Sequence, residues 1–387
     1  MVVIDLPSCE GDVRDEIFGK GYWSNLSELE GINRCLMRHI EAFRDYLGNQ
    51  GRICELACRP DFTPFYLLAT DSASICEKFG GGAHLLISGV CLDLEGVISQ
   101  ELKTYLFPNN SHMDYFCILS RLSVEFDLIN NLSLSDRAYI IFDYSFKRLP
   151  IEVNHIFYQM LAYRSSLIDT NYDKFYEEWQ GLMNRVFGVN GSCLKLLKMG
   201  QALAITKENM SRFFTGEFQV FIAGRGESGD VIKYISNLND RVLMQFILRP
   251  GEYINPRSCL LIENDRKRIV NAFRHSYHSF LDLSFLELEF SRRNIYHTYF
   301  YPKDATYVQR IEYFDGNKIE DILETVQCYS YPKVPEILQQ AKADKYAKLN
   351  LMKLNNEYQD NLIKILKKSG QYQEGLFYQI LLSKQRS

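Results

Sequence analysis

Apolar positions along this chain recur at two different spacings, and the switches between them mark out a series of helices and strands. Residues 24–48 begin with the polar stretch Ser24-Asn25 and set Leu29, Ile32, Leu36, Ile40 and Phe43 at helical spacing, with Gly48 as the stop. Phe65-Tyr66-Leu67-Leu68-Ala69-Thr70 is a continuous apolar run too short for a helix, so it predicts a strand buried on both faces and ending at Asp71. Gly80-Gly81-Gly82 predicts a turn, and His84–Leu94 a second β-rich stretch able to pair with the first as a hairpin. Next come a predicted helix over 113–133, a buried strand Tyr139–Phe142 ending at Asp143, a helical region over 152–187 and a short strand Ala202–Thr206 ending at Lys207. Beyond these, 228–237 reads as helix and Val242–Leu248 as strand, while 277–290 fits neither period. Tyr296–Phe300 and Tyr307–Tyr313 read as paired strands about Pro302-Lys303-Asp304, and 317–327, 335–367 and 374–383 as helices.

Strands interleaved with helices predict an α/β chain with a mixed central sheet covered by helices and helical additions at both ends. No internal repeat and no Pro/Ser-rich linker divides it. The expected organisation is an N-terminal helical segment over 1–60 serving dimer or partner contacts, a core over 61–345 and a C-terminal helical extension over 346–387.

Composition narrows the class. At 46% hydrophobic, 13% aromatic and 24% charged, the 387 residues belong to a globular protein and exclude disordered, collagenous and coiled-coil chains. Lys and Arg number 44 against 48 Asp and Glu, a net charge of −4, so there is no global cationic field for coating DNA or an acidic membrane. Any nucleic-acid contact then comes from a local groove, a dimer or a partner. No apolar run reaches the span of a bilayer, and Met1–Arg14 mixes acids with apolar residues, which sets the expectation of a cytoplasmic protein with no membrane contact. Ten scattered cysteines fit reduced usage, and the Cys54/Cys58 pair lacks a second pair to complete a zinc set.

Candidate chemistry gathers at strand ends, where open α/β sheets build their sites. Asp71 and Asp143 each close a buried strand, and Glu125 falls inside the apolar stripe Ile118, Leu122, Ile129 and Leu132 of the 113–133 helix, where an ionised side chain needs a partner. Three converging carboxylates repel one another unless a divalent cation neutralises them, and hard oxygen ligands suit Mg²⁺ or Mn²⁺. Such an arrangement serves phosphodiester hydrolysis, with Lys207 placed to orient water or grip a phosphate. Against this stand plainer roles: a strand-final Asp caps turns, a helical Glu pairs with an Arg, and Lys207 is solvated. No phosphate loop of the G-x-x-x-x-G-K-[ST] type occurs, so ATP hydrolysis is not expected of this chain. Gly224–Gly229 satisfies a loose G-x-G-x-x-G and reads as a loop, while His275 and His278, near Arg266-Lys267-Arg268, suit a surface or phosphate role.

In order and rough spacing, Leu68-Ala69-Thr70-Asp71-Ser72, the Glu125 helix leading into Ile140-Ile141-Phe142-Asp143-Tyr144-Ser145, then Ala204-Ile205-Thr206-Lys207 and Tyr331-Pro332 resemble the NurA nucleases over the whole domain. The resemblance implies an RNase H-like core, Mn²⁺-dependent cleavage of single-stranded and 5′-ended DNA, a homodimer, and partnership with a hexameric HerA-like ATPase that translocates DNA. It assigns Asp71, Glu125 and Asp143 as metal carboxylates and Tyr331 as the late tyrosine of the catalytic set. The chain departs from the family in three places. Ser72 and Tyr144 occupy glycine positions, and no histidine follows His297, so Gln340 or Lys342 stands where the family carries one. Two functions follow: a metal-dependent DNA nuclease working in DNA end processing or anti-phage defence, and a catalytically degraded adaptor that binds DNA and the ATPase without cleaving.

Overall fold

The structure, a computed structural model, describes residues 36–79, 82–107, 111–132, 134–167, 173–206, 211–226, 238–258, 294–332 and 337–368, with 232, 235 and 334 besides. Its elements are α1 (36–49), β1 (Ile53–Glu55), β2 (Tyr66–Phe79), β3 (Gly82–Leu92), β4 (Val97–Phe107), α2 (Met113–Asn130), β5 (Ala138–Phe142), α3 (Leu149–Ser166), α4 (Lys174–Phe187), α5 (Ser192–Met199) and β6 (Ala202–Thr206). After these come α6 (Phe213–Ala223), α7 (Asp240–Ile247), β7 (Glu252–Ile254), β8 (Arg257–Ser258), β9 (Ile295–Phe300), β10 (Gln309–Phe314), α8 (Ile319–Tyr329) and α9 (Leu338–Lys368).

The chain divides into two compact units, one drawn from Met1–Cys54 and Asn209–Arg249, the other from Glu55–Glu208 and Pro250–Ser387. The first unit thus recruits a second segment, 209–249, from within the stretch read as core. Its helices meet through rings: Phe43 of α1 lies 4.9 Å from Phe218 of α6, both fully buried. Arg52 forks onto both carboxylate oxygens of Glu217, at 2.5 and 3.0 Å.

The second unit is a mixed α/β body. Its sheet runs β4-β3-β2-β5-β6-β10-β9-β7, with β8 paired on β9. Strands β2, β3 and β4 form an antiparallel meander, β5 and β6 continue parallel to β2, and β10 and β9 return antiparallel. Consecutive residues of β3 from Ala83 to Leu92 are buried. Neighbouring residues face opposite ways on a strand, so both faces are covered, and α2 and α9 are the helices packed against β2 and β3. An antiparallel meander leading into parallel strands, flanked by helices, is the expected RNase H-like arrangement. On the α2 side of the sheet, Phe107, Phe116, Phe175 and Trp179 pack ring to ring at 4.9–6.1 Å.

Several elements differ from the sequence expectation. Strand β2 does not stop at Asp71; it continues through Ser72 and Ser74 to Phe79 because β3 pairs with it residue by residue, so the polar residues interrupt the composition and not the ladder. Strand β4 was not anticipated, since its exposed and half-buried residues alternate as on a sheet edge and offer no apolar run. Val242–Leu248 is not a strand. It belongs to helix α7, where the Asn239 side chain accepts the Val242 N–H at 3.0 Å as an N-cap and Leu243, Met244 and Ile247 share the buried face. The 152–187 region is two helices, the second capped by Asp173 accepting from Tyr176 N at 2.8 Å, and α5 is an additional short helix. The expectations over 277–290 and 374–383, His275, His278 and most of 228–237 lie outside the described residues. No described helix is long and apolar enough to cross a membrane.

Candidate functional site

Strand register places the two aspartates. β2 and β5 run parallel with Ala69 opposite Ile141, so two residues further on Asp71 is level with Asp143, which follows directly after β5 ends at Phe142. Asp71 therefore sits mid-strand and Asp143 just past a strand end, side by side at one edge. Phe142 in turn is level with Ala204 of β6, which carries Thr206 to the same place.

The third acid is brought by a close approach. Gly89 of β3 pairs with Ser72 of β2, and a Cβ at Gly89 would lie 2.1 Å from the Val124 side chain. Only a glycine lets α2 sit this close. The approach seats Glu125, next to Val124, against Ser72, whose hydroxyl donates to Glu125 Oε1. Glu125 is 1% exposed, and its Oε2 has no hydrogen-bond partner among the described residues. Burial, reinforced by the charge of Asp71, pushes its carboxyl up to about 8. Asp71 accepts from Ser72 N at 2.7 Å.

Arg121 is one helical turn before Glu125 and shares its face of α2. Its Nε donates to Ser72 Oγ at 3.1 Å and its Nη2 to the Ser72 carbonyl at 2.6 Å, which leaves Nη2 3.9 Å from Asp71 Oδ1. Asp71, Arg121, Asp143, Tyr144, Ser145 and Thr206 line a cavity of 410 Å³, with Ile118, Arg148, Leu149 and Glu152 completing the wall. Thr206 Oγ1 is buried there without a hydrogen-bond partner among the described residues. Tyr144, at the second substituted glycine position, has its phenol pushed strongly upward by burial and by the charge of Glu125.

Gln340 of α9 occupies the position in question for the absent histidine. Its Nε2 donates to Asp143 Oδ1 at 3.2 Å and to the Ile205 carbonyl at 2.8 Å, while its Oε1 is buried without a partner. Lys342 instead donates to the Leu94 carbonyl at 3.3 Å. Tyr331, 49% exposed, follows α8 and is not among the residues lining the cavity. Lys207 lies outside the described residues. Sequence reasoning missed Arg121 as a site residue, although its spacing four before Glu125 on one helix was a usable signal. Ser145 and Thr206 carried none beyond adjacency to Asp143 and to a strand end.

Among the described residues, no three His, Cys, Asp or Glu side chains form a ready-made metal-ligand group. The donors nevertheless suit a hard cation: Asp71 and Asp143 face the cavity, and Glu125 behind them keeps an oxygen with no partner. Burial and the charge of Asp71 oppose the charged form of Glu125, and a divalent ion held between the acids would offset both.

No protein-family model matches the chain, and no curated protein matches it. Among solved structures it is similar to the NurA nuclease from Sulfolobus solfataricus at 13% identity, covering 88% of this chain and 98% of that one with a TM-score of 0.52. Two further NurA structures match at 11% identity. One contains manganese and covers 88% of this chain and 98% of its own, with a TM-score of 0.48; the other covers 83% and 94% with a TM-score of 0.46. The likeness to the Sulfolobus enzyme establishes the fold: a NurA-like, RNase H-like α/β architecture spanning most of the chain.

Proposed function

We propose that this protein is a metal-dependent DNA nuclease of the NurA type, hydrolysing phosphodiester bonds at the cavity bounded by Asp71 and Asp143. The observation that carries the reading is Glu125, a carboxyl fully buried behind the two aspartates with one oxygen left unbonded. Burying such a group costs stability, and the hydrogen bond from Ser72 answers only one of its two oxygens, so its presence here points to chemistry. Asp71 and Asp143 would hold Mn²⁺ or Mg²⁺ with Glu125 behind them, and the ion would supply an activated water and charge stabilisation at the phosphate. Gln340, anchored on the Ile205 carbonyl, orients Asp143. Tyr331 is assigned to the catalytic set through the motif resemblance, and Lys207 through its place directly after the strand Ala202–Thr206.

The same resemblance supports single-stranded DNA or duplex ends as substrate, a homodimer, and a HerA-like hexameric ATPase as partner in DNA end processing or anti-phage defence. A net charge of −4 agrees with dependence on such a motor, because broad phosphate contact is missing from the chain's own balance. Digestion of labelled single-stranded and duplex DNA with Mn²⁺, Mg²⁺ or EDTA, with and without the ATPase and ATP, tests the reading. Cleavage that needs the metal and is lost in Asp71→Asn supports it.

One observation favours a second reading, a non-cleaving adaptor. Arg121 already places a positive charge beside Asp71, and Ser72, at a glycine position of the family, ties that arginine down. DNA and ATPase binding with no cleavage under any of those conditions would select the adaptor.

A further inference from the structure

We infer that Arg121 is the phosphate-gripping residue of this site, holding the DNA backbone against the carboxylates; the inference rests on the nuclease reading and adds a residue to it. The chain makes close arginine–carboxylate pairs where it uses arginine as a counter-ion. Arg310 meets Glu312 at 2.5 Å, and Arg52 meets both oxygens of Glu217. Arg121 does otherwise. It stands 3.9 Å from Asp71 and makes its hydrogen bonds to Ser72 instead, one to the hydroxyl and one to the backbone carbonyl. Those two bonds fix the plane of the guanidinium and hold it at the outer limit of ion-pair range from Asp71.

A guanidinium carries five N–H donors in a rigid fork. Ser72 engages Nε and one edge of Nη2, and Nη1 makes no hydrogen bond to any described residue. The side chain is 34% exposed while Asp71 beside it is 7% exposed, and both line the cavity. An anion entering there therefore meets preset donors next to the acids. Arg148 lines the same cavity but is 48% exposed, and its ion-pair contact is with Glu152 one turn along, 3.6 Å away, and not with the acids at the strand ends. A phosphodiester matches what Arg121 offers, two non-bridging oxygens against parallel N–H groups, and its negative charge needs a cation in a cavity that also carries Asp71, Asp143 and Glu152.

Binding is measured apart from cleavage, by fluorescence anisotropy of a labelled single-stranded oligodeoxynucleotide with the full chain in EDTA and again in Ca²⁺. Arg121→Gln is expected to weaken binding about tenfold or more and to lower the slope of log affinity against log salt by about one. Arg148→Gln is expected to change affinity by less than Arg121→Gln. Parental affinity and slope in Arg121→Gln, or no binding by the parental protein in either buffer, overturns the inference. A purely counter-ionic Arg121 would raise Mn²⁺ affinity by titration calorimetry in Arg121→Gln while leaving DNA affinity untouched, and that result also overturns it. Should Arg121→Gln fail to fold, Arg121→Lys decides. It keeps the charge but not the fork, so affinity a few-fold below parental supports the inference and parental affinity overturns it. Failure of the nuclease reading shows separately, as a parental protein that binds DNA through Arg121 and never cuts it with Mn²⁺.

Discussion

Two groups built from the same ingredients, a buried glutamate, an arginine and a serine, lie in one α/β unit and end differently. On β10, Glu312 is fully buried and both its oxygens are taken: Oε1 by Arg310 at 2.5 Å and Ser145 Oγ at 2.7 Å, Oε2 by Lys147 N at 3.3 Å. On α2, Glu125 is as deeply buried, yet one oxygen is open and the nearby arginine is bonded to a serine instead. Ser145 links the two groups, since it lines the cavity and donates to Glu312. The closed group holds β10 to the loop after Asp143 and keeps the cavity floor in place. In the other group the polar capacity stays unspent, which is the condition for binding something.

The sharpest way to break the comparison is to remove a charge from each group. Glu312→Gln takes from buried Arg310 the carboxylate it meets at 2.5 Å, and the expected loss is about 3–5 kcal/mol of unfolding free energy, read from denaturant midpoints. A loss below about 1 kcal/mol would mean that the closed group is not scaffolding. Asp143→Asn keeps shape and removes one of the acids from the cavity. It is expected to lower cleavage at least about 100-fold, near 2.7 kcal/mol of barrier, while the melting temperature stays within a few degrees of parental. Cleavage at the parental rate would reduce Asp143 to a turn residue oriented by Gln340.

A smaller effect comes from pH. His297 pairs with Glu312 across β9 and β10, and burial, with the charges of Arg310, Lys147 and Arg257, depresses its imidazole to about 3. The unfolded chain takes up this proton near the ordinary value of about 6.5 and the folded chain does not, so stability is full above that value and falls as pH drops towards about 3. Between about pH 7.5 and 5.5 the parental protein is expected to lose about 1 kcal/mol more than His297→Gln, measured by urea unfolding. Equal losses would show that His297 is protonated in the fold and belongs to the charge balance of the closed group.

Much of this was legible from the chain alone, and the reason differs by element. Buried runs such as Tyr139–Phe142 and Ala202–Thr206 announce strands because both faces are covered, and Glu125 stood out as an acid on an apolar stripe. The mid-strand position of Asp71 was hidden, because what extends β2 to Phe79 is its pairing with β3, a partner distant from any local pattern. Gly89 was invisible for a similar reason: its meaning lies in Val124 across the packing interface. Arg121 was overlooked because a charged residue on a helix reads as solvated until the helix is known to pack by that face. Gln340 and Lys342 were equivalent in sequence, and only the start of α9 against Ile205 separated them.

The smallest expected effect tests the contrast most closely. Glu125→Gln keeps the shape of the side chain and its ability to accept from Ser72 Oγ, and it adds an amide that can donate toward the acidic cavity. It also removes a buried carboxyl whose charged form is opposed by burial and by Asp71. In Glu312→Gln the arginine loses a contact at 2.5 Å; here Arg121 keeps both bonds to Ser72, because neither runs to the glutamate. The unfolding free energy of Glu125→Gln is therefore expected to equal the parental value or exceed it by up to about 1 kcal/mol, because the amide keeps the shape and avoids the charged form that burial and Asp71 oppose. Denaturant unfolding of the two glutamine variants side by side makes the measurement. A loss in Glu125→Gln comparable to that in Glu312→Gln would make Glu125 a structural anion held by Arg121 at a distance, and the open oxygen would no longer distinguish a site from a scaffold.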